Sequence, residues 1–360
     1  MMKILITGAC GFVGMRVARH LANAFAGSGR PLELLGIDNF SRPGSESNRN
    51  EFSKIGGRLF HGDLRMASDL EAISAVDWLI DAAANPSVLA GVDGRTSSRQ
   101  IIQHNLEATV NMLEYCKTHA AGFALISTSR VYSISALSQI PIVEHKDGYA
   151  VNSFEDLPQG LSADGIAETF STQAPISLYG SSKLAAETLA VEYGAAFDFP
   201  VWINRCGILA GAGQFGRPDQ GILSYWINSY CQQKPLRYIG FNGLGYQTRD
   251  CLHPDDLSAL LIQQMDSNDS SHDRVFNLGG GVDSSFSLAQ LSSWCAERYG
   301  YREIDSDPVQ RQFDIPWLVM DSGKARQRWG WSPQISGQQI FEEIATHADA
   351  NANWLKVSAA

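Results

Sequence analysis

Tyr179-Gly180-Ser181-Ser182-Lys183 places a phenol and an ammonium four residues apart. In a helix both side chains lie on one face, about 5–6 Å apart at Cβ. An ammonium at that range favours the phenolate and lowers a tyrosine pKa that is otherwise near 10. A tyrosine so tuned can take a proton from an alcohol hydroxyl while the adjacent C–H bond is oxidised. The same spacing arises where a tyrosine packs and a lysine snorkels, so the pair depends on its context. Ser127-Thr128-Ser129-Arg130-Val131-Tyr132 supplies part of that context, because it follows the apolar run Phe123-Ala124-Leu125-Ile126. A hydroxyl at a strand end, Thr128 by preference, can hydrogen-bond a reacting oxygen and steady its developing charge. The plainer alternative is a Ser/Thr cluster that caps backbone groups.

Gly8-Ala9-Cys10-Gly11-Phe12-Val13-Gly14 follows the short apolar run Lys3 to Thr7 and opens a second helix. Glycines in this pattern allow a tight turn, a close pyrophosphate, and close packing of helix on sheet. The helix N-terminus then offers N–H groups and a positive dipole end to phosphate. Asp38 stands 24 residues past Gly14 at the end of the next apolar run, where a carboxylate can accept hydrogen bonds from an adenosine ribose. That carboxylate would repel a 2′-phosphate, so NAD is expected rather than NADP. Asp63, in His61-Gly62-Asp63-Leu64, fits beside the adenine or equally in a solvated loop.

The elements that must hold these groups alternate strand-like and helix-like segments through the first half, the signature of a parallel sheet covered on both faces. Strands are expected near Lys3–Thr7, Leu32–Ile37, Arg58–Phe60, Trp78–Ile80 and Phe123–Ile126. Helices are expected over Met15–Phe25, Asp69–Ile73, Gln100–His119 and the stretch after Tyr179. Lys146-Asp147-Gly148 between two β-prone runs reads as a hairpin, within an insertion at about 134–172. The expected fold is α/β: a Rossmann-like doubly wound parallel sheet over 1–205, with a smaller C-terminal α/β substrate-binding lobe over 206–360, partly interleaved with it.

Composition removes other classes. The net charge is −10 and no basic tract occurs, so a nucleic-acid partner is not expected. The most apolar internal stretch, Ala75 to Ala84, is broken by Asp77 and Asp81 and is too short to span a bilayer. The initial apolar run is too short for a signal segment, and six cysteines without a Cys-x-x-Cys suggest free thiols, so a cytoplasmic protein is expected. No two histidines stand three or four apart, and no metal is expected.

Taken together, these motifs resemble the extended short-chain dehydrogenase/reductase family of nucleotide-sugar epimerases and dehydratases. The likeness runs over nearly the whole chain: the loop Gly8 to Gly14, Asp38-Asn39, Asp63-Leu64, Ala82-Ala83-Ala84, Asn105, Ser127-Thr128, Tyr179 with Lys183, and Arg249-Asp250-Cys251-Leu252-His253. Within the family it is strongest to the CDP-paratose (CDP-tyvelose) 2-epimerase branch, through Asp38-Asn39-Phe40-Ser41-Arg42, Gln214-Phe215, Asp219-Gln220-Gly221 and Phe276-Asn277-Leu278-Gly279-Gly280-Gly281. The resemblance implies bound NAD against Gly8, Gly11, Phe12, Val13, Gly14, Asp38, Asn39, Asp63, Leu64, Ala82, Ala83, Ala84 and Asn105. It implies Tyr179 as base, Thr128 as its hydrogen-bonding partner and Lys183 on the nicotinamide ribose. Arg249 would clamp the substrate diphosphate, or form an ordinary ion pair. Ser87, Ser129, Arg130, Arg205 and Gln214 are further expected substrate contacts. Related dehydratases carry Asp-Glu after the threonine; Ser129 and Arg130 stand there, which disfavours water elimination.

The implied reaction is NAD-dependent epimerisation of a nucleotide-diphosphate sugar. A keto-sugar reductase with net redox change and a non-catalytic NAD-binding regulator are the alternatives. The helical stretches Gln100–His119 and Ser182–Tyr193 can pair copies into a homodimer or tetramer, or simply cover the sheet.

Overall fold

The computed structural model describes residues 1–92, 94, 97–153, 155, 157–267 and 273–359. Seven strands form its central parallel sheet: β1 Met2–Thr7, β2 Leu32–Asp38, β3 Arg58–His61, β4 Trp78–Asp81, β5 Gly122–Thr128, β6 Val201–Cys206 and β7 Val275–Leu278. Their order is β7-β6-β5-β4-β1-β2-β3. Continuous apolar runs such as Ile4-Leu5-Ile6 make these strands, because a parallel strand is covered on both faces. The chain moves outward from β1 through β2 to β3, then returns to place β4 against the other side of β1. Such a reversal opens a crevice beyond the carboxyl ends of the two strands, here Thr7 and Asp81.

Helix α1 (Phe12–Gly27) buries Val17, Ala18, Leu21 and Phe25, a stripe at helical spacing. Burial of a side chain such as Leu21 or Phe25 contributes about 1.5–3 kcal/mol. The stretch after Ser97 departs from one continuous helix. It runs as Ser98–Ile102, a π-helical turn Gln103–Glu107, and α2 (Ala108–His119). Helix α3 (Ser177–Phe197) carries the Tyr/Lys pair, and α4 (Pro254–Met265) packs along α1.

Two compact units interleave along the chain. The first comprises Met1–Thr128, Leu178–Arg205 and Pro254–Phe276; the second comprises Ser129–Ser177, Cys206–His253 and Asn277–Ala360. Where the sequence suggests one boundary at 205/206, the segment 129–177 clusters with the second unit and 254–276 with the first. Packing accounts for the return of 254–276: besides the α1–α4 contact, Arg30 forms a two-pronged pair with Asp266 at 2.6 and 2.7 Å. Leu5, Leu35, Leu79, Phe123, Leu125 and Ile203 lie in the core of the first unit, and Trp226, Ile227, Leu291, Ile340 and Ile344 in that of the second. The second unit has its own small sheet, in which Thr248–Leu252 pairs with Ile208–Leu209, Ser285–Phe286 and Trp317–Leu318. Among the described residues, no helix is long and apolar enough to cross a membrane.

Asp250, in that sheet, is 2% exposed. Burial pushes its carboxyl up to about 7, although backbone N–H groups including that of Gly281 partly offset this. The protonated form is therefore favoured by folding. Its contribution is fully present below the unfolded carboxyl range and is lost as pH rises toward about 7. Asp250→Asn should accordingly show a smaller fall in melting temperature between pH 5 and 7.5 than the unsubstituted protein. Parallel melting curves in thermal scans would remove this assignment.

Candidate active site

The glycine loop is shaped by contacts that leave no room for side chains. Gly8 has φ +58°, and a Cβ there would lie 3.0 Å from Ala83 Cα. A Cβ at Gly14 would lie 2.2 Å from the Gly8 carbonyl oxygen. Gly11 caps α1 without a side-chain hydrogen bond, and the first helical residues Phe12 and Val13 follow it. The loop thus presents the start of a helix to whatever lies against it, as a pyrophosphate requires. It abuts Ala82-Ala83-Ala84 at the end of β4, where Ala83 N–H donates to Asp81 Oδ1 and Thr7 Oγ1, each at 3.2 Å.

Asp38 ends β2, and its Oδ2 accepts the Cys10 N–H at 2.9 Å while Oδ1 accepts the Phe40 N–H at 2.7 Å. Burial raises its pKa, and these backbone donors oppose the rise. A carboxylate tied this way to the loop presents an acceptor and excludes a second anion. Asp63 is placed differently. Arg65 pairs with it at 2.6 Å and holds its carboxyl well below the usual range, with Asn39 Nδ2 at 3.4 Å. Leu64 packs on the core, and its carbonyl accepts from Asn111 Nδ2 at 2.8 Å. The Asp63–Arg65 contact, only two residues apart, is a signal the sequence offers.

Tyr179 and Lys183 lie on the first turns of α3, and the helix puts them on one face. Tyr179 is 7% exposed and packs with Ala90 and Ile101; Lys183 is 1% exposed. The Lys183 ammonium acts on the buried Asp81, opposing the rise that burial imposes on that carboxyl. Thr7 Oγ1 donates to the same carboxylate at 2.7 Å. Thr128 is the last residue of β5, next to β4 in the sheet. Asn105 joins the elements: its Oδ1 accepts the Asn85 N–H at 2.8 Å, and its Nδ2 donates to the Asn85 carbonyl and to Ser182 Oγ, both at 3.1 Å. Ser182 Oγ in turn donates to the Tyr179 carbonyl at 2.8 Å. The π turn provides this reach, and Thr109 Oγ1 satisfies the Asn105 carbonyl at 2.8 Å. Ser87 is buried in the same loop, two residues past Asn85.

A second brace joins β5, β6 and α3. Ser127 Oγ donates to Glu187 Oε1 at 2.5 Å, and Arg205 donates through Nε and Nη2 to the same carboxylate at 3.0 and 2.7 Å. Glu187 and Arg205 are 3% and 7% exposed. Arg205, expected against substrate, thus directs its guanidinium at an internal carboxylate. Glu187 lies one turn beyond Lys183 and Ser127 immediately before Thr128, so the pair ties β5, β6 and α3 together. Glu187 falls at the spacing Tyr-x-x-x-Lys-x-x-x-Glu, the one trace of this brace in the sequence.

In the second unit Ser129-Arg130-Val131 forms a single 3-10 turn. Arg249 donates to the carbonyls of Thr248 and Ile315 at 2.8 and 2.7 Å and lies 3.4 Å from Asp314. Burial, with Arg130 nearby, pushes its pKa down to about 10. Two guanidiniums close enough to disfavour each other's charge suit an anion that touches both. Gln214 is nine-tenths buried and donates to the Leu209 carbonyl at 2.7 Å.

A family model described as the NAD dependent epimerase/dehydratase family matches residues 4–279. The chain is 30% identical to CDP-paratose 2-epimerase of Salmonella typhi over 360 residues, 95% of this chain and 98% of that protein. It is 23% identical to UDP-glucose 4-epimerase of Corynebacterium glutamicum, covering 96% of this chain and 94% of that one. The solved structure of UDP-glucose 4-epimerase from Bifidobacterium longum, in complex with NAD+ and UDP, superposes with a TM-score of 0.79 at 20% identity, covering 98% of this chain and all of that one. This likeness shows the fold.

Proposed function

Since this chain belongs to the NAD-dependent epimerase/dehydratase family, we propose that it epimerises a CDP-linked sugar of the paratose/tyvelose kind at carbon 2. The observation that carries the reaction type is the buried Lys183 one turn from Tyr179, on a helix tied by Asn105 to the loop after β4. The 30% identity to a CDP-paratose 2-epimerase across almost the whole chain supports the substrate.

The residues around the glycine loop fit NAD: Gly8, Gly11 and Gly14 leave the space, the N–H groups of Phe12 and Val13 suit its phosphates, and Asp38 suits its adenosine ribose. When bound, NAD supplies a two-electron acceptor that oxidises the sugar carbon and then reduces it again. The chain's own residues manage protons and position. Tyr179 takes the hydroxyl proton at its phenolic oxygen and later gives it back. Lys183 keeps positive charge on the same helical face and favours the phenolate. Thr128 hydrogen-bonds the reacting oxygen as charge develops. Arg130 and Arg249 hold the diphosphate, and Ser87, Ser129 and Gln214 the sugar. Neither Ser129 nor Arg130 is a carboxylic acid able to drive the water loss that a dehydratase needs.

Incubation with CDP-tyvelose and no added cofactor, followed by NMR, should give a mixture of two epimers. Conversion that requires added NAD and yields a keto sugar together with NADH would replace this reading with a net oxidoreductase. Parallel UDP-, GDP- and dTDP-sugars test the nucleotide.

A further inference from the structure

We propose that the inserted hairpin, Ile142–His145 with Gly148–Val151, is a fixed specificity element that sets the position of Arg249 through Thr248. This assignment rests on the reading of Arg249 as a diphosphate ligand. The hairpin is regular, with Ile142 paired to Val151 and His145 to Gly148. Its turn residues Lys146 and Asp147 have φ of 46° and 59°, the left-handed geometry of tight hairpins.

The hairpin is held at its tip and along its second strand. Gln290 Nε2 donates to the Lys146 carbonyl at 2.7 Å, and Ser287 Oγ to the Asp147 carbonyl at 2.5 Å. Those two side chains also form the capping box of the helix Leu288–Tyr299, which is a rigid support. Tyr246 OH donates to Asp147 Oδ1 at 3.1 Å. Further along, the Tyr149 N–H donates to the Tyr246 carbonyl at 2.9 Å, and the Tyr149 ring, 9% exposed, meets Phe241 and Tyr246 edge-on. An element so anchored behaves as a wall and not as a lid.

Thr248 is where the hairpin meets the arginine. Its hydroxyl donates to the Tyr149 carbonyl at 2.8 Å, while its own carbonyl accepts from Arg249 Nη1 at 2.8 Å. Ile315 and Asp314 fix the other side of the guanidinium. The hairpin therefore determines where one of the two carbonyls aiming Arg249 sits, and with it the span between Arg249 and Arg130.

Thr248→Val keeps the shape and removes the hydroxyl. It should weaken CDP binding, read by calorimetry, about five-fold. The KM for CDP-tyvelose should rise in parallel, with kcat within two-fold. Thr248→Ser should restore affinity, which a merely structural role for the side-chain methyl would not. Excision of residues 142–151 is compatible with the chain path, because the Asn152 N–H already donates to the Pro141 carbonyl at 2.8 Å. That variant should lose at least ten-fold in CDP affinity. Unchanged CDP affinity in Thr248→Val overturns the proposal while leaving the function intact. Failure of the unsubstituted protein to bind CDP or CDP-tyvelose overturns the reading of Arg249 as a ligand of the CDP diphosphate, and this assignment with it.

Discussion

Tyr179→Phe should lower turnover by about 10²–10⁴-fold, the usual worth of a positioned acid–base group, with the amount of co-purifying NAD unchanged. The change removes one oxygen from a ring that packs with Ala90 and Ile101, so the melting temperature should stay within a few degrees. Helix α3 is held by contacts that do not use the phenol: Asn105 on Ser182, and Glu187 on Ser127 and Arg205. Loss of rate thus reports the proton transfer and not collapse of the site. Steady-state rates with CDP-tyvelose, beside an absorbance measurement of bound cofactor, decide it. Activity retained within ten-fold would remove Tyr179 as the base.

Glu187→Leu carries the largest expected effect on stability. Arg205 lies 7% exposed and pairs with Glu187 at 2.7 Å, so the substitution leaves a buried guanidinium without its carboxylate. Breaking such a pair from one side costs about 3–5 kcal/mol. Replacing both partners, as Glu187→Leu with Arg205→Met, exchanges the pair for apolar contacts and should recover most of that loss. Denaturant titration of the single and double variants measures both values. A single variant as stable as the parent would show that this pair does not brace the sheet to α3.

Much of the first unit was legible because parallel strands are apolar throughout and end at punctuating residues. Gly8 after β1 and Asp38 at the end of β2 mark the positions that the structure brings together, with Asp38 tied to Cys10 in the glycine loop. The helix under Gln100–His119 read as continuous, since the π turn that gives Asn105 its reach has no composition signature. Arg205 read as a substrate contact because its partner is 18 residues away on another element, and pairing across a fold is not written in local spacing. The Arg249 environment was hidden for the same reason: its backbone partner at Ile315 lies 66 residues on. Partial interleaving is expected from the sequence, but the segments that cross over, 129–177 and 254–276, carry no local mark, because the return of α4 to α1 is a matter of packing.

The central claim is that the carbon to be inverted is oxidised and re-reduced inside the protein, with Tyr179 moving only the hydroxyl proton. Turnover of CDP-tyvelose in D2O, followed by NMR of both epimers, tests it directly. The expected product carries the original hydrogen at the inverted carbon, with no solvent deuterium there. A full solvent deuterium at that carbon would contradict the account, because it would mean that the C–H bond itself is broken by proton exchange with water.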